Sequence, residues 1–293
     1  MIPKKAQWVE GWATFKGSDV IPSIDHVKRK FLDVHYGPDK LQTMDIYLPE
    51  GTAAPYPVFI LIHGGGFVHC DKRDFHLYPG FFARERGYAL VSLNYRLAPK
   101  NPYPDGLNDV KNAIVWICDH AEEYGFDPHR LFLFGPSAGG NLTALASMQS
   151  QSYLGDKGTI RACAPLCPAV DLLNVGKDYK NIPHKIFATA PTVYLMYWMY
   201  FGRRWKNKKV LEEASFMPYV SEKNPPTFLQ IGDHDPVIPL VEVQALYEQL
   251  KTAIGEEHVV LDIMPGAAHS GGDEHYFQRE DIGRVLDFFD KYR

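Results

Sequence analysis

Gly135-Pro136-Ser137-Ala138-Gly139-Gly140 joins two stretches of opposite character. Leu131-Phe132-Leu133-Phe134 runs into it with the unbroken apolar character of a buried strand. Ala138 to Gln149 leaves it with the composition of a helix. A serine on so sharp a strand-to-helix turn has a strained backbone, and bulky neighbours would clash there, which accounts for the small residues around it. The turn lifts the hydroxyl clear of the sheet, while the next helix aims its first N–H groups at any reacting oxygen. Ser137 is therefore the candidate nucleophile.

A second glycine loop lies upstream. His63-Gly64-Gly65-Gly66-Phe67 follows the apolar run Pro57 to Ile62. Three consecutive glycines are entropically costly and need a reason. A tight turn leaving the sheet is one. The other is a loop that points backbone N–H groups at a substrate carbonyl, where acyl transfer develops negative charge. Alongside the serine turn the second reading is preferred, with Gly65, Gly66 and the N–H of Ala138 as donors. His63 is assigned to loop support rather than to proton transfer.

Beyond these loops, apolar runs alternate with amphipathic stretches, the pattern of a mostly parallel sheet covered by helices. Further strands are expected at Ala89 to Leu93, Ala162 to Val170, Thr227 to Ile231 and Val259 to Met264. Helices are expected at Asp105 to Tyr124, Pro239 to Ala253 and Tyr276 to Tyr292. Lys30 to His35 and Gln42 to Leu48, separated by Gly37-Pro38-Asp39, read as an antiparallel hairpin at the start of the sheet. Residues 172–224 contain no convincing strand but include the aromatic run Tyr194 to Phe201. That run is either part of an insertion over the sheet's C-terminal edge or one more core helix.

Composition narrows the class. The 293 residues carry a formal net charge of −4, which suggests neither nucleic acid nor an anionic membrane as a partner. The basic run Arg203 to Lys209 reads as a solvated helix end. Residues 1–30 are expected to be an N-terminal extension lacking the apolar core of a secretory signal, and no apolar stretch is long enough to cross a bilayer. Cys163 and Cys167, on the expected strand, would stand about 13 Å apart, too far for a disulfide. A reduced, cytoplasmic protein is the expectation.

The HGGGF segment at 63–67, Tyr95-Arg96-Leu97-Ala98-Pro99 and GPSAGGN ending at Asn141 resemble the esterases related to hormone-sensitive lipase. They are similar also to the neighbouring acetyl esterases, feruloyl-esterase-like proteins and kynurenine formamidases. The resemblance extends from about Phe31 to the C-terminus. It implies an α/β-hydrolase fold: a mostly parallel central sheet of about eight strands flanked by helices, with a small helical cap. It also implies no cofactor and ester substrates with short acyl groups. Pro136 departs from the acidic residue usual there in the hormone-sensitive-lipase group, which leaves subfamily and substrate open but the serine chemistry intact.

A serine hydroxyl needs a histidine to take its proton and a carboxylate to orient that histidine. In this fold both follow the serine on loops after late strands. Asp233-His234-Asp235-Pro236 follows the strand ending near Ile231. Asp235, just before proline as in the family's acid loop, is taken as the acid, and Asp233 as a loop cap. His269, flanked by small residues after the last strand, is taken as the base over His275. Phe67, Tyr194 and Trp198 are expected to line the substrate site. His69, Asp71 and His76 could form a metal cluster, but a polar loop beside the active site accounts for them better, so no metal is expected. The expected partner is a small-molecule ester, acetyl to butyryl, on a carbohydrate or plant-phenolic alcohol, acted on by a monomer or homodimer. A formamidase with the same triad and a catalytically inactive binding scaffold are the alternatives.

Overall fold

The computed structural model of the chain describes residues 22–173, 190–270 and 274–293. Eight strands form one sheet in the order β1-β2-β4-β3-β5-β6-β7-β8. They are β1 (Lys30–His35), β2 (Thr43–Tyr47), β3 (Tyr56–Ile62), β4 (Ala89–Leu93), β5 (Phe126–Pro136), β6 (Ile160–Leu166), β7 (Thr227–Gly232) and β8 (Val259–Met264). β1 and β2 pair antiparallel, as does β2 with β4, and every later pairing is parallel. The hairpin expected at the start is therefore present, and the chain has the α/β-hydrolase architecture.

The central strands are apolar on both faces because helices cover both. β3 is buried along its whole length, with Ile60 in register with Val91 on one side and Leu133 on the other. The helices are α1 (Leu77–Glu85), α2 (Asp105–Asp119), α3 (Ala121–Tyr124), α4 (Ala138–Met148), α5 (Ala190–Phe201), α6 (Lys208–Ala214), α7 (Leu240–Ile254) and α8 (Arg279–Asp290). α2 buries Leu107, Val110, Ile114 and Ile117 at helical spacing, and α8 buries Ile282, Val285, Leu286 and Phe289 likewise. Phe59, Phe132 and Phe289 cluster where sheet meets α8.

Some expected boundaries are corrected. β6 stops at Leu166 rather than continuing to Val170, and Cys167 turns away at φ +35°. The last helix begins at Arg279, after a short 3-10 turn over Glu274–Phe277. α1 had no sequence signal, because Pro79-Gly80 reads as a breaker; proline is tolerated there since the first turn needs no helical N–H. The basic run at 203–209 is solvated except for half-buried Trp205, and it leads into α6. All four cysteines are free. Among the described residues no helix is long and apolar enough to cross a membrane. Residues 1–21 of the expected extension and 174–189 of the expected insertion lie outside the described residues.

Candidate active site

Each candidate functional loop leaves the carboxyl end of a parallel strand, where open α/β sheets place their ligands. β5 ends at Pro136 and α4 begins at Ala138, so Ser137 alone makes the turn. Its backbone sits at φ +55°, ψ −120°, which side chains rarely adopt. Two hydrogen bonds hold it there. Ser137 N–H donates to the Leu166 carbonyl at 2.9 Å, and Asn141 N–H donates to the Ser137 carbonyl at 3.0 Å. A Cβ on Gly139 would overlap the carbonyls of Ile62 and His63, so α4 can approach β3 this closely only over a glycine.

The loop after β3 curls back on itself. Val68 and His69 both donate to the Gly65 carbonyl, while Gly65 and Gly66 sit at φ +98° and +58°. Among the described residues their N–H groups have no acceptor. The Ala138 N–H opens α4 and has no partner within its helix. Tyr95, from the segment after β4, secures the loop: its hydroxyl donates to the carbonyls of His63 and Gly64, and its ring stacks on His63 at 4.4 Å. Burial pushes His63 down to about 4, so it is uncharged near neutral pH and suited to packing.

Asp235 and His269 come from adjacent strands. The loops after β7 and β8 are tied by Asp233 N–H to Met264 carbonyl, His234 N–H to Ala267 carbonyl, and Gly266 N–H to Asp233 Oδ1 at 2.7 Å. Asp233 thus caps a loop, and Asp235 is free to face the histidine. Asp235 Oδ2 lies 2.7 Å from His269 Nδ1, and Oδ1 accepts from the N–H groups of Val237 and Ile238. His269 Nε2 lies 2.8 Å from Ser137 Oγ. Burial alone would lower the pKa of His269, but the Asp235 carboxylate and the neighbouring Cys167 together outweigh it and hold the imidazole well above its ordinary value. The result is an unbroken carboxylate–imidazole–hydroxyl chain beside two glycine N–H groups, the arrangement that acyl transfer through a serine requires.

The sequence profile of the BD-FAE family matches residues 44–250. The chain belongs to the BD-FAE family. Esterase LipQ of Mycobacterium tuberculosis is 30% identical over 251 residues, covering 81% of this chain and 56% of its own. The probable carboxylic ester hydrolase LipM of the same organism is 29% identical over 248 residues, covering 84% and 54%. This BD-FAE chain spans about half the length of the curated relatives it matches. Among solved structures it is similar to a bacterial heroin esterase, with TM-score 0.75 and 26% identity over 94% of this chain and 87% of that one. A truncated carbohydrate esterase from gut microbiota shares the fold at TM-score 0.78 and 21% identity, over 92% of this chain and 98% of that one.

The expected substrate contacts in this BD-FAE member divide. Phe67 is buried and lies flat on Tyr200, ring centroids 3.7 Å apart. Tyr194 lies on α5, but its side chain is outside the described residues. Trp198 is 54% exposed and lies about 200° around α5 from Met196 and Tyr200, off the face that meets the glycine loop. It is Met196 that reaches the glycine loop, its Sδ standing where a side chain on Gly66 would go. Met196 and Tyr200, four residues apart, share one face of α5, a spacing the sequence carries but the dense aromatic run obscures. Cys167 was also missed. Its Sγ, a carboxylate oxygen of Asp235 and a ring nitrogen of His269 all lie within 4.8 Å of one another.

Proposed function

We propose that this chain is a serine carboxylesterase that hydrolyses short-acyl esters through an acyl-enzyme. The observation that carries this reading is the hydrogen-bonded chain from Asp235 through His269 to Ser137, at 2.7 and 2.8 Å. Kinship with LipQ, LipM and a heroin esterase, each named for ester hydrolysis, supports it.

In the proposed reaction, Ser137 Oγ attacks the ester carbonyl while His269 Nε2 takes its proton. The developing oxyanion is held by the N–H groups of Gly65, Gly66 and Ala138. His269 returns the proton to the departing alcohol. Water, activated by the same histidine, then releases the acid, while Asp235 keeps the tautomer and stabilises the imidazolium. Phe67 pinned on Tyr200 and Met196 over Gly66 crowd the region beside the oxyanion donors, which suits acetyl to butyryl groups. A sugar or phenolic alcohol would occupy the more open side. The free cysteines suit a reducing compartment, with the cytoplasm as the proposed location.

A p-nitrophenyl ester series from acetate to laurate, run beside Ser137→Ala and a formyl-anilide, tests the reading. Fast cleavage of the short esters, lost in the variant, is the expected result. A wild-type rate no higher than the variant's on every ester would overturn it, and turnover of the formyl-anilide alone would assign the site to a formamidase.

A further inference from the structure

Beside the glycine loop lies a second cluster of chemically able side chains that the hydrolytic reading does not use. Cys70 Sγ, a carboxylate oxygen of Asp74 and a ring nitrogen of His76 are all within 4.8 Å of one another. His69 Nδ1 lies 3.0 Å from Cys70 Sγ, and His76 Nδ1 lies 2.7 Å from Asp74 Oδ1. We propose that His69, Cys70, Asp74 and His76 form a binding site for a zinc-class divalent cation that braces the glycine loop.

The donor chemistry selects the ion. One sulfur, two imidazoles and one carboxylate form a borderline-soft set that suits zinc, whereas calcium and magnesium take oxygen ligands. A tetrahedral zinc ion holds such donors about 3.5 Å apart; the Cys70, Asp74 and His76 atoms lie within 4.8 Å of one another, and His69 joins them through its 3.0 Å approach to Cys70 Sγ. Lys72 and Arg73, the neighbouring basic side chains, are both committed to Asp33 and Asp45, and Asp74 pairs instead with the His76 ring, at 2.7 Å. Asp71 does not belong to the set: it is Asp74 that lies within reach of Cys70 and His76, while the Asp71 carboxylate accepts from Arg73 N–H and from Asn94 Nδ2. The combination of His69, Asp71 and His76 weighed from sequence therefore lacked both the sulfur and the right carboxylate.

The backbone supports the same inference. Cys70 holds φ +79°, in the region that favours glycine, so a thiol is kept where a side chain is strained. The cluster also touches the loop it would brace. A Cβ on Gly65 would collide with His69 and Cys70, and one on Gly64 would stand 3.1 Å from His76 Nε2. An ion held there would restrain the two glycines that precede and begin the proposed oxyanion donors.

The test is cobalt uptake by the full chain, stripped with chelator and kept reduced. Cobalt(II) reports a cysteine ligand through a thiolate-to-metal charge-transfer band, and binding is read independently of hydrolysis. One equivalent should produce the band, and zinc should displace it. Cys70→Ser should abolish it, Cys167→Ser should leave it, and His76→Gln should weaken binding by at least the ~10–100-fold that loss of a supporting partner costs. The Cys167 control matters because Cys167, Asp235 and His269 form the other cluster of metal-binding type among the described residues. Absence of any band in the wild-type protein would overturn the proposal. So would a band that survives Cys70→Ser and disappears in Cys167→Ser. Should Cys70→Ser fail to fold by circular dichroism, His76→Gln decides: unchanged affinity in that variant overturns the site.

Discussion

Ser137, His269 and Asp235 are fixed by their surroundings more than by each other. The serine is held at φ +55° by bonds to β6 and α4, and the aspartate by two backbone N–H groups. That arrangement has a pH consequence. His269 can accept the Ser137 proton only when unprotonated, and its pKa is raised above 6.5. Activity should therefore fall as pH drops through that raised value, placing the acid limb of kcat/KM above the ordinary imidazole range. Removing the Asp235 charge removes the main opponent of burial, so Asp235→Asn should move the limb to lower pH and reduce kcat by about 10⁴-fold. A pH–rate profile of both proteins checks the sign; a limb that stays in place would mean the carboxylate does not set it. Gly65→Ala should lower kcat by about 10²–10³-fold with a smaller change in KM. Its Cβ would collide with His69 and its φ of +98° would be strained, displacing the N–H from the oxyanion.

At the scale of elements, the loops are positioned by side chains whose purpose is not local. Tyr95 shows it: its hydroxyl reaches back to the carbonyls of His63 and Gly64. Tyr95→Phe should cost about 1 kcal/mol of stability in urea unfolding but a larger share of kcat, because the glycine loop loses a support. Gly139→Ala should destabilise by about 1–3 kcal/mol or more, since the obstruction is backbone of β3 that cannot step aside. Much of this was legible from residues alone. The hairpin, the parallel strands, the serine turn and the glycine loop all have local chemistry that announces them. What was not legible depends on which strands become neighbours. Cys167 reads as an ordinary strand residue until β6 is placed between β5 and β7, which sets it beside His269 and Asp235. For α5 the size of Trp198 suggests a substrate wall, while the helix's rotation is what sets Met196 against the glycine loop. The Cys70 cluster needed the loop's left-handed turns, which only the folded backbone displays.

Across the whole molecule, distant segments are tied by a few buried charges. Asp109 on α2, fully buried, accepts from Arg96 through its backbone N–H and guanidinium, and from Gln42 beside the first hairpin. Asp109→Ala leaves the partly exposed Arg96 guanidinium and the Gln42 amide without their main partner and should cost about 1–3 kcal/mol, read as a lower urea midpoint at unchanged slope. The strand order carries a consequence of another kind. β5, β6, β7 and β8 stand side by side in the sheet in the order in which they are synthesised. The nucleophile and its base are separated by 132 residues, and the base follows the last strand in the chain. A ribosome making this chain therefore emits the serine turn and the glycine loop well before the histidine, so the proposed triad cannot assemble until the chain beyond β8 has been made.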